Sequence, residues 1–383
     1  MEQHKTLRQQ VPVFLGFFIM GFVDVVGIAT NYAKKDFGLK DSVANLLPLT
    51  VFIWFAIFSV PIGMWMNKVG RRKTVVAGLV FTAIAMLIPL ASYHFSTLLV
   101  AFALAGIGNT LLQVALNPLL TNVIAPEKLP SALSAGQFIK AIASFLGPII
   151  AATAATTFGD WKGIFPAFAA IAAIDTLWLW TTRIDEAPSA QNSSSIGGCL
   201  RHLKDPFIGK LVLGVVAIVG LDVGLNTTLP KFLMARCGLP LEKAGLGTSL
   251  YFIARTTGSL AGIVLLARIK NTRVYLGTVA LGIFALIALL IAPTLWLILP
   301  LIFLTGLAIA NVFPVLFAAA LHHSPNHQNE VSGLLIMGVS GGAILLPIMG
   351  LIGDAKGPAA ALAFLLLAWG YLAWVGKTTI SKT

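Results

Sequence analysis

The chain has 383 residues, of which 57% are hydrophobic and only 10% charged, with a formal net charge of +12. A soluble domain carries about a quarter charged residues, so this composition excludes a soluble enzyme or binding domain. The basic excess suits loops on the inner face of a bilayer, and no basic stripe interleaved with aromatics points to nucleic acid.

A bilayer needs about 20 apolar residues per helix, which leaves room for about twelve spans with short loops. Apolar runs place them at 11–33, 43–66, 74–93, 97–125, 131–157, 163–182, 208–232, 243–268, 273–292, 294–321, 331–353 and 357–376. The first run is too long for a cleavable signal and lacks a small-residue cleavage site, so it reads as a span. Only Ala292-Pro293-Thr294 separates spans nine and ten. Pro118, Pro148, Pro314 and Pro347 fall inside spans, where each removes a helical hydrogen bond and predicts a bend.

Lys and Arg concentrate in alternate loops, for example Lys68, Arg71, Arg72, Lys73, Arg201, Lys204, Arg268 and Lys270. That bias predicts both termini in the cytoplasm. Cys199 and Cys237 then fall on opposite faces, so no disulfide joins them. His322, His323 and His327 share an inner loop without supporting carboxylates or thiols, and no metal site is expected there.

The polar stretch 183–207 contains Ser193-Ser194-Ser195 and Gly197-Gly198, a flexible linker composition. It divides the chain into 1–182 and 208–383, six spans each. The halves echo one another. Asp24 between Gly21 and Gly27 is matched by Asp222 between Gly220 and Gly224, Asn117-Pro118 by Phe313-Pro314, and Gly147-Pro148 by Leu346-Pro347. The offsets stay within 196 to 199 positions. An internal duplication of this size is a transporter feature, with the solute handled near mid-membrane. The expected fold class is therefore an all-α membrane protein of twelve transmembrane helices in two pseudo-symmetric six-helix bundles.

The loop after span two reads Gly63-Met64-Trp65-Met66-Asn67-Lys68-Val69-Gly70-Arg71-Arg72-Lys73. It resembles the signature loop of the major facilitator superfamily, with Asn67 where the family has an acid. Gly63, Asn67, Gly70, Arg71 and Arg72 are the expected gating-loop residues. The counterpart after span eight, Gly262 to Arg268, is degenerate. Three further stretches resemble the fucose–galactose–glucose:proton symporter family. They are Leu112 to Pro118, Gly306 to Phe317, and Ser332 to Gly342 with its continuation Leu346 to Asp354. The resemblance implies the major facilitator fold and proton-coupled symport of a small polar solute. It also implies a coupling role for Asp24 and cavity-lining roles for Gln113 and Gln137. Gln113 stands where that family has an acid, and Lys140 where it has an amide, which argues against fucose itself.

Ionisable side chains within spans cost about 2.5–3.5 kcal/mol on the insertion scale and usually face a cavity or a partner. Asp24, Lys140, Asp222 and Arg255 form such a quartet on spans one, five, seven and eight. Asp24 and Asp222 are the expected proton-coupling residues, with sodium the alternative ion; Asn31 could join a sodium cage. Gln113, Asn117, Gln137, Lys140, Asn226, Tyr251, Arg255 and Asn311 are the candidate substrate-binding residues. Two cations facing a solute suit a sugar acid or another organic anion, whereas cations paired with the two aspartates suit a neutral sugar. Asp175 in span six is assigned a packing role. No phosphate loop, nucleophile–base pair or zinc spacing is present, so no enzymatic activity and no cofactor beyond the coupling ion are expected. The expected setting is a single multi-pass chain in the plasma membrane whose partners are a small solute and lipid. A uniporter or exporter of an organic anion is the alternative transporter, and a non-transporting membrane receptor or structural protein is the competing reading from another class.

Overall fold

The computed structural model describes residues 7–39, 41–44, 46–186, 196–239, 241–341 and 345–382. The helices are α1 Leu7–Met20, α2 Val26–Phe37, α3 Asp41–Ala44, α4 Leu46–Val69, α5 Arg71–Ala91, α6 Phe95–Val123, α7 Leu129–Phe158, α8 Ile164–Thr181 and α9 Ile196–Arg201. They continue with α10 Pro206–Cys237, α11 Leu241–Arg268, α12 Asn271–Ile291, α13 Leu295–Ile309, α14 Val312–His323, α15 Gln328–Gly341, α16 Leu345–Lys356 and α17 Pro358–Thr378. Among the described residues, ten helical stretches are long and apolar enough to cross a membrane.

Among the described residues, two expected spans are not single helices. Span one breaks into a 3-10 turn at Gly21–Val25 between α1 and α2. Span ten breaks at Ala310-Asn311, where the missing N–H of Pro314 and its ring leave the Ala310 carbonyl four residues back without a helical partner, as the proline predicts. For span eleven, α15 and α16 cover the described residues, and residues 342–344 between them lie outside the described residues. The side chains of Asn31, Pro148 and Pro347, and residues 187–195 of the expected linker with its serines, also lie outside them.

Local chemistry sets the other boundaries. Ala292-Pro293-Thr294 does separate two helices, α12 and α13. Asp205 caps α10 by accepting from the Phe207 amide, Pro206 takes the first turn, and Gly238 ends the helix in the left-handed region. Gly70 precedes α5 at φ 91°, and a Cβ there would sit 2.9 Å from the Glu186 carboxylate. That carboxylate accepts from the Arg71 and Arg72 amides, capping α5 from a distant segment.

The chain packs as two compact units that do not follow its halves residue for residue. One comprises 1–126, 136–200 and 324–337; the other comprises 127–135, 201–323 and 338–383. In the first, α5 lies against α6 and α8, α4 packs on α6, and α1 touches both α6 and α8. The Phe22 and Phe168 rings stack at 3.8 Å in its interior. In the second, α11 and α12 pack on α13, while α10 and α12 pack on α17. Trp180, Phe284, Trp296 and Leu351 are strongly exposed, as an apolar solvent allows and water would not.

Candidate functional site

Within the first unit, the 3-10 turn of span one presses against α7. A Cβ on Gly21 would lie 2.6 Å from the Lys140 carbonyl oxygen, so only glycine permits this approach. The turn carries Asp24, which is exposed and accepts a hydrogen bond of 2.5 Å from Ser144. Ser144 also reaches the Lys140 carbonyl at 3.1 Å. Gln137, Lys140 and Ser144 recur at spacings of three and four, which puts them on one face of α7. Gln137 and Lys140 are half-buried, and among the described residues neither side chain has a hydrogen bond or ion pair.

The second unit holds the other half of the expected quartet. Asp222 accepts from the Tyr251 hydroxyl at 2.5 Å and from the Arg255 guanidinium at 2.7 Å. Both of its oxygens are therefore engaged, one by a cation and one by a fully buried phenol. Within the second unit Asp222 and Arg255 compensate each other, whereas within the first no ion pair joins Asp24 and Lys140 among the described residues.

The candidate amides divide as well. Gln113 and Asn226 are half-buried. Asn117 is 2% exposed, and its amide donates to the Gln113 carbonyl one turn back. Asn311 is 3% exposed, donates to the Gly258 carbonyl and accepts from Ser134. Its side chain fills the space a Cβ on Gly262 would need. The structure therefore places Asn117 and Asn311 in helix packing and does not group them with Gln137 and Lys140. Asp175 is fully buried with no hydrogen-bond partner for either oxygen among the described residues.

The signature loop is held by a directed chain of hydrogen bonds in the first unit. Arg71 Nε donates to Asn329 Oδ1 at 2.7 Å, Asn329 Nδ2 to Asn67 Oδ1 at 2.8 Å, and Asn67 Nδ2 to Glu330 Oε1 at 2.6 Å. A cation is thus linked through two amides to a carboxylate that is only 3% exposed. Arg71 further donates to Thr121, Asn122 and Gln328, and Arg72 to the carbonyls of Trp180 and Thr182. Gly63 and Gly333 let α4 and α15 touch: a Cβ on either would lie 2.7 Å from the Asn329 or 2.6 Å from the Ser59 carbonyl oxygen. All five expected loop residues therefore meet in one assembly.

A family model described as "Major Facilitator Superfamily" matches residues 13–347. The chain belongs to the major facilitator superfamily. A glucose/galactose transporter of Brucella abortus is 28% identical, covering 94% of this chain and 91% of the relative. A putative glucose/galactose transporter of Helicobacter pylori is 25% identical, with 88% and 87% covered. The Escherichia coli fucose:proton symporter FucP shares the fold, with a TM-score of 0.83 at 15% identity over 98% of this chain and 99% of that one. Major facilitators are membrane-embedded transporters, so the chain is a multi-pass membrane protein and not an enzyme.

Several residues of this major facilitator were not anticipated. Ser144 lies seven positions after Gln137, a helical-face signal that was available. Asn329 and Glu330, polar residues immediately before an apolar span, offered a similar signal. Glu186 as a remote cap and Ser134 as the partner of Asn311 follow from tertiary placement and leave no trace in the local sequence.

Proposed function

We propose that the chain is a secondary active transporter that carries a sugar or sugar-like solute with a proton across the plasma membrane by alternating access. The observation that carries this reading is the unequal environment of the two duplicated aspartates. Neutralising Asp222 would take from Arg255 its ion pair at 2.7 Å, which is costly within a span. Asp24 is exposed and among the described residues is bonded to the neutral Ser144 hydroxyl with no ion pair, so it can gain or lose a proton without breaking one. Asp24 is therefore the coupling residue, and Asp222 a fixed charge that orients Tyr251 and Arg255.

The similarity to sugar transporters supports a hydroxyl-rich solute, and Gln137, Gln113 and Asn226 supply groups that bind hydroxyls. Solute release at the inner side requires the helix starts to part. In one unit these are the Asn67–Glu330 and Arg71–Asn329 contacts; in the other they are the Ser131–Ile263 and Ser134–Asn311 contacts. The chain acts as a single subunit with both termini in the cytoplasm, and uses no cofactor beyond its coupling ion.

Proteoliposomes with an inward proton gradient test the reading. Labelled glucose, galactose and their acid derivatives are offered with sodium or choline outside. Gradient-driven accumulation of at least one of them, equal in both salts, is the expected result. Accumulation that needs sodium, or no flux of any sugar-type solute, overturns it.

A further inference from the structure

We infer that the solute is an acid sugar, a hydroxylated frame bearing one carboxylate, and that Lys140 is its counter-ion. The inference rests on reading the chain as a proton-coupled sugar carrier and names the substrate class of that site. Of Lys140 and Arg255, the two cations of the expected quartet, Arg255 is already engaged by Asp222. Lys140 is half-buried on α7 and has no hydrogen bond or ion pair among the described residues. A cation in a span usually meets a partner or an aqueous path, and here the nearest turn supplies no anion bonded to it. Asp24, whose carboxylate is bound one turn further along α7, is held by Ser144 instead.

That arrangement explains how a proton and an anion would travel together. A carboxylate bound at Lys140 lies about one helical turn from Asp24, close enough for two negative charges to repel. Protonation of Asp24 removes that repulsion, so the loaded carrier holds Lys140, a protonated Asp24 and the solute carboxylate. On the inner side Asp24 returns its proton to water, the repulsion reappears, and the solute leaves. One proton and one monoanion move per cycle, so the cycle carries no net charge. Gln137, one turn before Lys140 and likewise without a bonded partner among the described residues, is placed to meet a hydroxyl on the same frame.

The test measures binding and charge movement on the purified full chain, using D-glucuronate, D-glucose and lactate as probes. Glucuronate is expected to raise the melting temperature and to enter proteoliposomes under a proton gradient. On a solid-supported membrane it should give no sustained current. Lactate, with the charge but a single hydroxyl and no sugar frame, should bind more weakly. Lys140→Met should weaken glucuronate binding roughly ten- to hundredfold, the range for losing a hydrogen-bonded charge. Lys140→Arg should keep most of it, which separates loss of charge from loss of fold. Electrogenic glucose transport that ignores glucuronate, or glucuronate binding unchanged in Lys140→Met, overturns the inference while leaving the sugar carrier standing. Failure of all three probes to bind or move overturns both.

Discussion

Replacing Asn67 by aspartate would restore the acid that the superfamily signature carries, and the structure predicts that it harms this protein. Asn67 Nδ2 donates to Glu330 Oε1 at 2.6 Å, and Glu330 is almost fully buried. Aspartate keeps the acceptor that Asn329 uses but loses this donor. A hydrogen bond to a charged group is worth about 1.5–3 kcal/mol. Two carboxylates about 4 Å apart add about 4 kcal/mol of repulsion at an effective permittivity near 20. Arg71 and a shared proton offset part of this, so Asn67→Asp should cost about 2–4 kcal/mol at neutral pH. Adding Glu330→Gln supplies a donor to the new carboxylate and should recover most of the loss. SDS titration followed by tryptophan fluorescence, with melting temperatures in detergent, measures all three variants. Stability of Asn67→Asp within about 0.5 kcal/mol of the wild type, ordinary for a surface change, would refute the reasoning.

Other expectations are more local. Arg255→Met should destabilise by about 1–2 kcal/mol, less than a fully buried pair because both groups are partly exposed, and Asp222→Asn in the same chain should restore much of it in a double-mutant cycle. Gly63→Ala and Gly333→Ala each push a methyl against a backbone carbonyl and should cost about 1–3 kcal/mol, with slower uptake at unchanged expression. A membrane-impermeant maleimide should label Cys237 from outside and spare Cys199 on either side. Cys199 is fully buried, its thiol is pushed up to about 12 by burial and by Glu330, and mass spectrometry of the labelled peptides reads the result.

Much of the fold was legible because a bilayer imposes one rule, an apolar run of fixed length, and this chain obeys it. Even the thin Ala292-Pro293-Thr294 boundary is a true helix break. The break within span one was not legible. Gly21 and Gly27 flank it, yet the turn forms because α7 must approach Gly21 closely, a tertiary cause. The break in span ten falls at Ala310, four residues before Pro314, and was legible from that proline. Sequence spacing also identified the four intramembrane charges but not their pairing, which depends on how α10 and α11 face each other. The same limit applies to Asn117 and Asn311, whose residue type suits a ligand site while their burial assigns them to packing. Residues 127–135 and 324–337 pack with units other than those their place in the chain suggested, since nothing in their composition marks a partner.

The central claim is that Asp24 carries the coupled proton. Proteoliposomes containing Asp24→Asn should lose accumulation driven by a proton gradient while keeping solute exchange at equal concentrations, because exchange needs binding and rocking but no net proton transfer. Gradient-driven accumulation by Asp24→Asn at the wild-type level would contradict the account.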